Sequence, residues 1–253
     1  MAKGLNALQM VEIQSVGSLS DAVIRHAAEE GAPFRIVIRL DCSVEAGLSQ
    51  SWIPATEFPQ IVKIYGSSMR INPLDLCKEI RRLEAVGVDL ARFFISERAM
   101  LIHPWAKAIA RLEQYDRRSR QNGSTAEIQY RSSVTFSALR GEETLWRVLQ
   151  ETASRENRHI RSLRADLMRR ISHPQLLVLI REISPEEVLA EYRSVLSVLA
   201  NRLINVGEYV RAARERGDRI LVEGIKELRW ERELGVPVPR ITIEDLRREG
   251  VLV

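Results

Sequence analysis

GSSMRINPLDLCKEIRRLEAVGVDLARFFISERAMLIHPWAKA, residues 66–108, carries two helix starts and one strand within about forty positions. Asn72 is an N-cap, Pro73 stands at the first helical position and Asp75 lies in the first turn, where a carboxylate meets the positive end of the helix. Leu74, Cys77, Ile80, Leu83 and Val86 recur at helical spacing, and Gly87 supplies the residue that can turn left-handed and end the helix. ARFFIS, 91–96, is a strand, and a further helix begins near Pro104. Just upstream, QIVKIYG, 60–66, is another strand. Strand, helix, strand and helix in succession describe a mainly parallel sheet with helices on its faces.

The same alternation extends outward. Residues 9–15 and FRIVIRL, 34–40, read as strands, the second a β-branched run suited to burial on both faces. GEETLWRVLQETASRENRHIRSLRADLMRR has no proline or internal glycine and predicts one or two helices. Ser184, Pro185 and Glu187 form a capping-box start for a helix running to about Arg216, and DRILVEG, 218–224, returns to strand. The expected organisation is an α/β core over 1–140, a helical subdomain over 141–217, and a return strand with the C-terminal segment of the core over 218–253.

The formal charge is +4 and the pI about 9.3, yet lysine occurs only at Lys3, Lys63, Lys78, Lys107 and Lys226. Arginine enrichment fits phosphate or nucleic-acid contact. It fits equally the solvated helix faces on which LRREG, RRLEA and RERGDR mix both signs, and no basic stripe is interleaved with aromatics. Cys42 and Cys77 lie far apart without CxxC spacing, and His26, His103, His159 and His173 pair with no cysteine or carboxylate at ligand spacing, so no metal site is expected. No run of about 18 apolar residues occurs and the N-terminus lacks a secretion-signal layout, so the expectation is a cytoplasmic protein without a membrane span.

The first strand–helix junction, EIQSVGSLSDAVIRHAAEE, 12–30, stands where many α/β proteins cradle phosphate. It has one glycine, Gly17, and no lysine, while Ser18 or Ser20 serves as an N-cap.

Residues 66–108 resemble the adenylosuccinate synthetase family. Gly66, Pro73, Leu76, Glu79, Ile80, Leu83, Glu84, Gly87, Val88, Ile95, Ser96, Arg98, Ala99, Pro104 and Lys107 all fall in step with it. The likeness extends over roughly 10–236, with EYVRAARERGDRILVEG similar to the segment leading into the family's EGAQG. It implies that family's α/β fold, a P-loop-NTPase-like core with a helical insert, in a member truncated at its C-terminus. The resemblance also implies site positions. Ser18 takes the place of the catalytic base, an aspartate that also binds magnesium, while Asp21 and Val23 fall where lysines should stand. Leu48 replaces the general-acid histidine. Ser124 and Thr125 match the phosphate-contacting loop, and Leu139, with Arg140 beside it, the arginine that reaches the inosinate phosphate across the dimer. Lys226 replaces the glutamine of EGAQG.

The expected nucleotide-binding residues are therefore Gly17, Ser18, Ser124, Thr125, Arg140 and Lys226. With base, acid and phosphate lysines all replaced, the favoured function is a purine-nucleotide-binding or regulatory, partner-binding module without synthetase activity, as a homodimer by analogy. One alternative is a divergent GTP- or ATP-dependent ligase, using magnesium with its nucleotide and completed by a partner subunit. A nucleic-acid-binding protein ranks last.

Overall fold

The computed structural model describes residues 8–13, 18–40, 43–44, 53–120, 132–170, 182–224, 238–248 and 250–251. In chain order the elements begin with β1 (Met10–Ile13), α1 (Ser18–Glu29), β2 (Ile36–Arg39), β3 (Ser43–Val44), β4 (Val62–Tyr65) and β5 (Arg70–Ile71). Next come α2 (Pro73–Ala85), β6 (Phe93–Ser96), β7 (Met100–Leu101), α3 (Pro104–Arg120) and a 3-10 turn, Phe136–Arg140. The remainder is α4 (Glu142–Met168), α5 (Pro185–Leu199), β8 (Leu203–Ile204), α6 (Val206–Glu215), β9 (Ile220–Glu223), β10 (Arg240–Ile241) and α7 (Ile243–Arg248). The chain divides into two compact units, one of Met1–Ile71, Asp75–Ala99 and Arg202–Val253, the other of Asn72–Leu74 and Met100–Asn201.

In the first unit a seven-stranded sheet runs β10-β1-β9-β2-β4-β6-β8, each neighbouring pair parallel. Its strands are apolar on both faces because both faces are covered. Val11, Ile13, Val37 and Leu221 pack with Val23, Ile24 and Ala27 of α1 and Leu246 of α7. Ile36, Ile38, Ile64, Ile220 and Val222 pack with Val206, Val210 and Ala213 of α6. Tyr65 and Phe93 meet edge to face, with centroids 5.0 Å apart. In a second sheet β3 and β5 are also parallel neighbours.

Local chemistry explains the ends of α2. The Asn72 side chain accepts from Leu74 N–H at 3.2 Å. At the other end Gly87, at φ 84°, closes a Schellman turn. Its N–H reaches Glu84 C=O at 3.0 Å, and Val88 N–H reaches Leu83 C=O at 3.0 Å. Val86, expected on the apolar stripe, lies past the helix and is 72% exposed, whereas Leu76, Cys77, Ile80 and Leu83 are buried. Burial pushes the Cys77 thiol up to about 11, so it stays protonated and behaves as a small apolar group.

The helix expected from Ser184 to about Arg216 is two helices. Ser184 does cap α5, accepting from Glu186 and Glu187 N–H. After α5, however, Leu203 and Ile204 form β8 against Ile95 and Ser96, and Asn205 caps α6 by accepting from Glu208 N–H. A two-residue strand leaves no period to read, so the asparagine was the only signal.

The second unit packs α3, α4 and α5 together. Trp105, fully buried, donates from Nε1 to Asn157 Oδ1 at 3.0 Å. The same oxygen accepts from Ile183 N–H at 3.0 Å, and Asn157 Nδ2 donates to Ile183 C=O at 2.9 Å. One α4 amide thus holds α3 and the entry to α5. His103 caps α3, its Nδ1 accepting from Ala106 N–H at 3.1 Å. Burial, reinforced by Arg155, lowers the His103 pKa to about 4.

Two outcomes follow. Asn157→Ala removes three hydrogen bonds and orphans a buried indole N–H, which should cost about 2–3 kcal/mol and lower the thermal midpoint by roughly 5–10 °C. His103 is neutral when folded and protonates near pH 6.5 when unfolded, so its contribution is complete above 6.5 and lost as pH falls towards about 4. Relative to pH 7, about 2 kcal/mol should be lost by pH 5. His103→Asn, which keeps a capping acceptor, should remove that part of the slope in urea titrations.

Candidate functional site

Open parallel sheets bind ligands at the carboxyl ends of their strands, where the connections diverge to either side. Here β1 leads through α1 to β2 on one side, whereas β9 leads to β10 on the other side of β1. The registers place Ile13, Glu223, Arg39 and Tyr65 side by side as the last residues of β1, β9, β2 and β4.

Two charges sit in this row. Arg39 Nε donates to Glu223 Oε2 at 2.7 Å, with both side chains almost wholly buried. Glu223 Oε1 has no hydrogen-bond partner among the described residues. Beside them Glu12, also buried, pairs with Arg240 at 3.3 Å. Asp21, in the first turn of α1, is half-buried, and its pKa is raised first by burial, then by the carboxylates of Glu223 and Glu57. Arg39 and Arg25 act in the opposite direction and do not cancel this. The head of α1 therefore faces carboxylate, and its nearest buried guanidinium is already committed.

Among the residues expected to bind, Ser18 is the first residue of α1. Ser20 is not an N-cap but the third helical residue, fully buried, with no hydrogen-bond partner for its Oγ among the described residues. Gly17, Leu48, Ser124, Thr125 and Lys226 lie outside the described residues. Arg140 ends the 3-10 turn and is exposed, whereas Leu139 is fully buried. Of those two neighbours, only Arg140 presents its side chain to solvent. Sequence reasoning missed Arg39, Glu223 and Glu12. The available signal was a charged residue ending, or set within, an otherwise apolar strand, in IVIR, ILVE and MVEI.

Two further hollows line the units separately. In the first, a polar recess of about 270 Å³ lies between the end of β6 and the start of α6, walled by Ser96, Arg98, Asn205 and Arg211. In the second, a cavity of about 320 Å³ lies among α3, α5 and the start of α2. No helix among the described residues is long and apolar enough to cross a membrane.

A sequence model of adenylosuccinate synthetase matches residues 12–236. The adenylosuccinate synthetase of Aliivibrio fischeri is 29% identical over 168 residues, which are 64% of this chain and 36% of that one. That of Parafrankia is 26% identical over 216 residues, 83% of this chain and 47% of that one. The chain thus spans between about a third and a half of the length of these relatives. A fully ligated adenylosuccinate synthetase structure from Plasmodium falciparum shares the fold at a TM-score of 0.56 and 16% identity, over 86% of this chain and 51% of that one. With the family pattern spanning most of its length, this chain belongs to the adenylosuccinate synthetase family.

Proposed function

We propose that the chain is a synthetase-like protein without synthetase activity, acting as a purine-nucleotide-binding or partner-binding module. The observation that carries this reading is the buried Arg39–Glu223 pair with Asp21 beside it. A triphosphate cradle requires backbone N–H groups and unpaired cations that converge on anionic oxygens. At the head of α1 this chain offers an arginine already bound to a carboxylate, and an aspartate that would repel the incoming phosphate.

Magnesium fits these residues poorly. The Glu223 carboxylate is held by Arg39, and Ser18, a poor ligand for the ion, stands where the family resemblance puts the magnesium-binding aspartate. Ser18 cannot act as a base without a neighbour to take its proton, and Leu48 has no proton to give. Arg140 is exposed beside a buried Leu139, next to the position where the family resemblance puts the inosinate-contacting arginine, and a homodimer follows from that analogy.

Purified protein should form no adenylosuccinate from inosinate, aspartate and GTP with magnesium. Measurable, magnesium-dependent ligation would revive the divergent-ligase reading and overturn this one. A thermal-shift screen should show stabilisation by purine monophosphates, weakened by Arg140→Ala, and none by triphosphates. A ligand at about 100 times its dissociation constant adds roughly 2.7 kcal/mol, a visible rise in midpoint.

The electrostatics of the site are testable alone. Asp21 has a folded pKa above its unfolded 3.8, so its ionised form opposes folding at neutral pH and the penalty vanishes once acid protonates it. Asp21→Asn should raise the midpoint at pH 8 and bring no gain at pH 3. A loss at pH 8 would mean that the aspartate is held by favourable contacts instead.

A further inference from the structure

The cavity of about 320 Å³ in the helical unit is independent of the sheet edge and has its own charge pattern. One wall is a single face of α3, on which Lys107 and Arg111 stand one turn apart. The facing wall is α5, which contributes Glu191. Between these charges lie apolar surfaces, Leu74, Ile102 and Ile183 among them.

Neither Arg111 nor Glu191 makes an ion pair or side-chain hydrogen bond among the described residues, although both line the same hollow. Some exposed arginines find carboxylates, as Arg193 finds Glu142, Arg82 finds Glu79 and Arg170 finds Asp116, while others, Arg147 and Arg158 among them, make no ion pair among the described residues. Two opposite charges left apart across an apolar floor complement a molecule that carries both signs. The volume lies at the lower end of the range of roughly 300–1,000 Å³ usual for ligand pockets, which limits the occupant to a small molecule.

We propose that this cavity binds a small zwitterion with an apolar body, an α-amino acid with an aliphatic side chain. Its carboxylate lies against Lys107 and Arg111, its ammonium against Glu191, and its side chain on the apolar floor. Charge-assisted hydrogen bonds at both ends fix the orientation.

Calorimetric titration of the full chain with L-leucine, with 4-methylpentanoate, which lacks the amine, and with L-aspartate tests this. Leucine should bind at millimolar concentration or better. Methylpentanoate, deprived of the Glu191 contact, and aspartate, which would bury a second carboxylate against apolar surface, should each bind at least about tenfold more weakly. Arg111→Gln and Glu191→Gln, both at exposed positions that should leave folding intact, should each weaken leucine by at least about tenfold. Equal binding of leucine and methylpentanoate would overturn the zwitterion assignment. Leucine binding unchanged in both variants, or no binding up to tens of millimolar, would overturn the site.

Discussion

The buried pair between Arg39 and Glu223 is the constraint to which the carboxyl edge of the sheet is fitted. Both groups leave water almost completely, and the desolvation penalty is met only if geometry is good and the surrounding frame is rigid. The frame is backbone. Leu40 N–H reaches Glu223 C=O at 2.8 Å, Gly66 N–H reaches Arg39 C=O at 2.8 Å, and Gly224 N–H reaches Ile13 C=O at 3.1 Å. Those bonds lock β1, β9, β2 and β4 in one register, and the register sets the two side chains opposite each other. Deleting one partner would strand a charge in an apolar interior at a cost of about 3–5 kcal/mol.

That same pair decides what the edge can hold. A sheet end in an α/β fold is hospitable to anions only while its donors remain free, and fold alone does not settle this. Here the strongest buried donor is neutralised within the protein and Asp21 feels the carboxylate of Glu223. The helical unit solves its own buried-polarity problem without charge. Asn157 is neutral and satisfies the Trp105 indole and the Ile183 backbone together, so α4 gains orientation at a much smaller desolvation cost.

The frame was legible wherever chemistry is local. The Asn72, Pro73 and Gly87 signals marked the start and end of α2, and the β-branched run 34–40 contained β2. Non-local features were not legible. β8 is two residues long, and its existence depends on a neighbour, Ile95–Ser96, more than a hundred positions earlier. Site residues divide the same way. Asp21 could be read as hostile to phosphate because the family resemblance puts it where a lysine should stand, but the Arg39–Glu223 contact joins residues 184 positions apart and exists only through strand register.

The residues that carry the family resemblance do mostly structural work, which explains how membership and altered chemistry coexist. A Cβ at Gly66 would stand 1.9 Å from Leu40 Cδ2 and 3.3 Å from the Arg39 carbonyl oxygen, so any side chain there would have to displace Leu40 and press on the β2 backbone. Leu76, Ile80, Leu83, Ile95 and Ala99 are buried in the first unit. Glu79 holds Arg82, and Glu84 meets Arg202, whose guanidinium also reaches the carbonyls of Leu90 and Phe93. Ser96 Oγ accepts from Arg98 N–H at 3.2 Å. These contacts depend on shape, backbone and ion pairs within the chain, and none requires a substrate. A chain can keep all of them while the residues facing its sheet edge change sign. Lys107 matches the family too, and it lines the cavity of the helical unit.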